Sequence, residues 1–281
     1  MTPLLRRGLS LDRLASFVAV MEAGGLARAA PGDPVRQSQL SRQVKELELA
    51  FGRELLTRTP RGLEPTAAGV ALASAVRAFS RELVDVDGAS SGPGRVTLGA
   101  GDSVLQWLVL PRLAKLGLTG LELEVLALGA EGTVSALQEQ RIDLGVLRAN
   151  EASGDFKSVR LGLVEYAIFE AERDLPLAVP TSERGLSEAL EKLEQQREVG
   201  LRCETFPQIA RAVTAGTHAG VLPVFAHAAL GNGIRRVTTP QLARAASPLA
   251  LVWRSRTLER RTELRELRHK LEQVIRAALR V

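Results

Sequence analysis

The sequence has a single cysteine, Cys203, and only three histidines, His218, His227 and His269. One cysteine excludes an intramolecular disulfide and suits a reducing compartment, so a cytoplasmic protein is expected. None of the histidines stands at a metal-ligand spacing with Cys203 or with a carboxylate, and no metal or cofactor is expected. Long apolar runs are missing as well. No stretch approaches the roughly 20 apolar residues of a membrane span, and "MTPLLRRGLSLDRL" has no apolar run after its arginines, so neither anchor nor signal peptide is expected. The usual catalytic fingerprints are also absent. "GAGDSV" presents Ser103 without the glycine two residues later that a nucleophile elbow requires, and no glycine-rich dinucleotide loop occurs. An enzyme is therefore not expected, and Cys203, at a strand end, reads as a small buried hydrophobe.

What is present is length, arginine and helical periodicity. The 281 residues are 45% hydrophobic, enough for more than one core and for two domains. Lys and Arg outnumber Asp and Glu, 37 to 32, and a net charge of +5 suits an acidic partner such as nucleic acid. Leu11, Leu14, Val18 and Met21 form one helical stripe behind Ser10, a plausible N-cap. "GGLARAA" begins a second helix that "PGDP" should stop, because proline lacks an amide donor and restricts its predecessor. In the third helix, Leu40, Val44, Leu47 and Phe51 recur as a buried stripe ending near Gly52. "ELLTRTPRGLEPT" then reads as a hairpin turning at Pro60-Arg61-Gly62. Three helices and a hairpin are the order of a winged helix-turn-helix.

The other face of the third helix carries Gln37, Gln39, Ser41, Arg42 and Lys45. Gln and Arg can read adenine and guanine edges in a major groove, and Arg58 and Arg61 would touch phosphates from the hairpin. A solvated helix face has the same side chains, so the reading rests on the neighbouring elements. From Thr66, Gly69, Leu72, Val76, Phe79, Leu83 and Val86 recur every three or four residues. This seam could pair with its copy in a second chain, with Leu72, Val76, Phe79 and Leu83 at its centre. "DGASSGPG" at 87–94 is a linker, and beyond it strands such as "RVTLGAG", "LELEVLAL" and "IDLGVL" alternate with helices. That rhythm predicts an α/β domain with largely parallel sheets. The chain should close on an arginine-rich helix, 257–280, with Leu258, Leu264, Leu267, Leu271 and Ile275 packed on its own domain.

"LDRLASFVAVMEAGGLARAA", "RQSQLSRQVKELELAFGRELLTRTPRGLEPTAAGVAL", "RIDLGVL" and "HAGVLPVFA" together resemble the LysR-type transcriptional regulators. The resemblance is strongest over residues 9–70 and fainter after 93. It implies a winged helix-turn-helix (1–65), a dimerising linker helix and hinge (66–92), and an effector domain of two α/β lobes like a periplasmic binding protein (93–281). The partners implied are double-stranded DNA, a small effector and further copies of the chain, as homodimer or homotetramer, with no membrane. By position, Arg36, Gln37, Ser38 and Gln39 would enter the major groove, followed by Ser41, Arg42 and Lys45, while Arg58 and Arg61 belong to the wing. The chain departs from the family at "AAPGDPV". Asp33 stands where a core leucine is usual and is read as a helix cap, with Val35 supplying the lost apolar contact. The effector domain is also shorter than usual around 170–200. Ser103, Thr133 and Thr205 follow strands at expected helix starts, and hydroxyls beside free amides there would suit a carboxylate or another anion between the lobes. Two alternatives stay open: a DNA-binding regulator whose effector site is degenerate, and a ligand-binding module that no longer binds DNA.

Overall fold

The computed structural model describes residues 9–59, 62–86, 94–152, 154–181, 183, 185–255 and 261–280. The elements fall into two compact units. The first holds α1 (Leu11–Ala23), α2 (Leu26–Ala29), α3 (Pro34–Phe51), the hairpin β1 (Leu56–Thr59) and β2 (Gly62–Pro65), and α4 (Ala67–Val86). Its boundaries are set by local chemistry. Ser10 accepts from the Arg13 amide at the start of α1, Asp33 accepts from the Arg36 amide at the start of α3, and Thr66 accepts from the Gly69 amide at the start of α4. Gly52 ends α3 in a left-handed conformation, φ 65°. Leu14, Phe17 and Val20 of α1 meet Leu40, Val44 and Leu47 of α3, and Ala73 and Val76 of α4 complete this core.

The second unit starts with β3 (Gly94–Ala100), α5 (Asp102–Val104), a wide turn Leu105–Val109 and α6 (Leu113–Leu116), then β4 (Leu121–Ala127), α7 (Ala130–Gln138), β5 (Leu144–Arg148) and β6 (Lys157–Val164). It continues through β7 (Tyr166–Glu170), β8 (Leu177–Pro180), α8 (Ser187–Glu194), β9 (Val199–Cys203), α9 (Phe206–Thr214) and β10 (Ala219–Pro223). Last come α10 (His227–Leu230), β11 (Arg235–Val237), α11 (Pro240–Arg244), β12 (Ser247–Trp253) and the C-terminal helix Thr262–Leu279.

Two five-stranded sheets result, β4-β3-β5-β12-β6 and β11-β7-β10-β8-β9, each the centre of one lobe. Pairings among β3, β4 and β5 are parallel, as are β8 with β9 and β10, whereas β12 and β7 pair antiparallel with both of their neighbours. The sheets are therefore mixed rather than largely parallel. The cause is the connectivity: the chain leaves the first lobe along β6 and returns along β12, and these two strands run in opposite directions.

Several expectations change at this level. α7 starts at Ala130, so Thr133 sits inside the helix instead of capping it. Asp102 and Ser103 both lie within α5, whose N-cap is Gly101. Val35 is 81% exposed and supplies no core contact, although Asp33 does cap α3. Val76 is buried in the first unit's own core with Leu72 packed beside it, while Phe79 is half-buried. Of Leu83 only the helical backbone is described, and Arg61, Leu258 and the linker residues 87–93 lie outside the described residues. The C-terminal helix buries Leu264, Leu267, Leu271 and Ile275 against its own domain, as its stripe predicts.

Candidate DNA-reading face and interlobe cleft

The buried stripe of α3, Leu40, Val44 and Leu47, fixes which side of the helix faces outward. That side carries Ser38, Arg42, Lys45 and Leu49 at successive turns, with Arg36, Gln39 and Ser41 beside them, all exposed. Gln37 differs. It is half-buried, and its Nε2 donates to the Ala30 carbonyl at 2.8 Å, so its amide clips α3 to the turn that precedes it. Glu48 works on the inner side, accepting from the Leu55 and Leu56 amides and so setting where the hairpin leaves α3. Arg58 is exposed on β1, opposite Leu63 of β2. The unit therefore presents a rigid polar helix face with a basic hairpin residue.

In the second unit a cavity of about 730 Å³ opens between the two sheets, at the loops that follow the parallel strands. Gly101 to Val104 after β3, Leu128 to Gly132 after β4, and Thr205 and Phe206 after β9 all line it. Ligand sites in open α/β sheets lie at such carboxyl ends of strands. At its floor Arg148, the last residue of β5 and 8% exposed, donates to the Tyr166 hydroxyl at 2.7 Å and pairs with Glu183. This ion pair joins one lobe to the other. Burial pushes Tyr166 up to about 12 against the opposing charge of Arg148. Burial likewise pushes the Glu183 carboxyl up, with Arg148 opposing and Glu151 adding to the rise.

The expected hydroxyls have separate fates. Ser103 and Thr205 line the cleft. Thr133 does not: it is fully buried, and its hydroxyl donates back to the Gly129 carbonyl at 3.0 Å. Thr205 is used within a capping box, accepting from the Gln208 amide while Gln208 Oε1 accepts from the Thr205 amide. Arg148, Tyr166 and Glu183 were not among the expected site residues. The one signal for Arg148 was its place at the end of a strand in "RIDLGVLR". Among the described residues no group of His, Cys, Asp and Glu could hold a metal, and no helix is long and apolar enough to cross a membrane. Cys203 is buried, and burial pushes its thiol up.

Two family models match the chain in sequence, one over each unit. Residues 11–70 match the bacterial regulatory helix-turn-helix protein, lysR family, and residues 89–274 match the LysR substrate binding domain. The chain belongs to the LysR family. Among LysR relatives, TcbR of Pseudomonas sp. strain P51, an HTH-type transcriptional regulator, is 29% identical over 253 residues, 86% of this chain and 80% of TcbR. A Pseudomonas aeruginosa relative is 34% identical over 161 residues, 54% of this chain and 51% of its own length. The chain spans about half the length, or less, of the first curated relatives it matches. Full-length LysG of Corynebacterium glutamicum, solved with bound effector Arg, aligns over 97% of this chain and 99% of its own, with a TM-score of 0.63 and 18% identity. That likeness establishes a shared fold.

Proposed function

We propose that this LysR-family chain is a sequence-specific DNA-binding transcription regulator whose activity is set by a small molecule in the interlobe cleft. The observation that carries it is the outward stripe of α3, Ser38, Arg42 and Lys45, held rigid by the buried stripe behind it. Arg36, Gln39 and Ser41 flank that stripe, and Gln37, its amide bonded back to Ala30, positions the helix. Arg58 and Arg61 serve the wing. The organisation proposed is a DNA-binding domain at 1–65, a linker helix and hinge at 66–92 that pairs two copies, and an effector domain at 93–281. Such a regulator catalyses nothing and works in the cytoplasm, where the DNA is. LysG, which shares the fold and was solved with an effector, supports the ligand reading, as does a cleft that side chains leave open.

The test is binding to the DNA upstream of the protein's own gene, followed by fluorescence anisotropy. Arg42→Ala should weaken binding by about 1–3 kcal/mol and relax sequence preference, whereas Arg58→Ala should weaken all sequences alike and lower the salt slope by about one. Failure of the unmodified protein to retain that DNA at low salt, with the cleft still binding a ligand, would favour a module that no longer reads DNA.

A further inference from the structure

Among the described residues the two most exposed large apolar side chains are Val35, 81% exposed, and Leu49, 75% exposed, and both belong to α3. At about 3.6 residues per turn, Val35 falls on the stripe of Ser38, Arg42, Lys45 and Leu49, on the side of the helix opposite Leu40, Val44 and Leu47. Position along the axis separates the two. Val35 stands in the first turn, next to Pro34, and Leu49 in the last, roughly 21 Å away. A recognition helix meets base edges with its N-terminal residues, which puts Val35 and not Leu49 at the bases.

The first turn is held firmly. The Asp33 carboxylate accepts from the Arg36 amide at 2.9 Å, the Asp33 carbonyl accepts from the Gln37 amide at 3.0 Å, and Gln37 Nε2 ties the same turn to the Ala30 carbonyl at 2.8 Å. A valine in a helix keeps essentially one rotamer, so its two methyls are presented with little left to order on contact. Asp33 also decides what kind of contact this end of the helix makes. Its exposed carboxylate already fills the helix N-terminus, where a phosphate would otherwise be held, and repels one. What the first turn offers a duplex is therefore an apolar group, with the charge supplied by Arg36 beside it and by Arg42 and Lys45 further along. On the floor of a major groove the apolar group that answers it is the C5-methyl of thymine.

We propose that Val35 is a specificity-determining residue that packs on the C5-methyl of a thymine in the major groove. The inference rests on α3 being the DNA-reading helix.

The experiment uses the full chain and the DNA upstream of its own gene, followed by fluorescence anisotropy, with thymines replaced one at a time by uracil. Uracil lacks only the methyl and keeps every hydrogen-bonding group, so the replacement isolates the apolar contact. At least one replacement should weaken the unmodified protein about fourfold, the worth of one buried methyl. Val35→Ala should bind the thymine DNA more weakly by a similar factor and be indifferent to that same replacement, whereas Leu49→Ala should keep the difference. Val35→Ser serves where Val35→Ala melts abnormally. Replacements that cost Val35→Ala as much as the unmodified protein at every thymine overturn the proposal, as does a difference that Leu49→Ala abolishes. Unchanged affinity in Val35→Ala while Arg42→Ala still weakens binding overturns the role of Val35 and keeps the helix as the reader. No binding of the DNA by the unmodified protein overturns both.

Discussion

Arg148 Nη2 donates to the Tyr166 hydroxyl at 2.7 Å, tying the last residue of β5 in one lobe to the first of β7 in the other. Tyr166 is the only tyrosine in the chain, so its ionisation can be followed alone by absorbance at 295 nm. Burial pushes it up to about 12, above the usual value near 10. Between those values the folded chain keeps a proton that the unfolded chain loses. The stabilisation is therefore complete below pH 10 and declines as pH rises towards 12. One step near pH 12 in native protein and near pH 10 in denaturant is expected, and a native step near 10 would show an exposed ring.

Asp33 and Val35 separate capping from packing at the start of α3. Asp33→Ala removes the acceptor for the Arg36 amide and should cost about 1 kcal/mol in urea unfolding. Val35→Lys, at a position 81% exposed, should change stability by less than about 0.5 kcal/mol. A larger loss at Val35 than at Asp33 would reverse the assignment.

Gly69 sits where α4 passes the hairpin. A Cβ added there falls inside van der Waals distance of the Leu55 backbone carbonyl, which cannot turn aside as a flexible side chain can. Gly69→Ala should cost about 1–3 kcal/mol by overpacking. Gly132→Ala, inside α7 with no neighbour nearer than 3.7 Å, should instead gain up to about 1 kcal/mol. Equal effects in chemical denaturation would mean that steric contact is not what distinguishes them.

The proposed pairing of the linker helix is best probed at Phe79. Val76 belongs to the first unit's own core, so a charge there would unfold the domain whether or not two chains meet. Phe79→Glu should reduce the light-scattering mass while leaving far-ultraviolet dichroism unchanged. A mass that does not fall places the contact elsewhere.

The first unit was legible because its signals are local. Ser10, Asp33 and Thr66 cap their helices within three residues, and the α3 stripe repeats on one helix. Val35 misled because a lone apolar residue in a first turn has no periodicity to say which way it faces. In the second unit β6, β7, β8 and β11 were not anticipated. Tyr166–Glu170 is buried throughout, so it shows no alternation, and β6 finds its partner β12 more than eighty residues later. The cleft was foreseen in place, but not in its chemistry. Arg148, Tyr166 and Glu183 lie far apart in sequence, and each alone is an ordinary residue until two sheets face each other.

The chain crosses between the lobes at two points that are bonded side by side. Val164 of β6 pairs with Ser247 of β12, and Glu165 alone separates β6 from β7. Two antiparallel strands joined by a ladder of backbone hydrogen bonds resist sliding past each other, so the two crossings are held together as a pair. A molecule held between the two lobes of the second unit would therefore bear on the crossing at Val164 and Ser247.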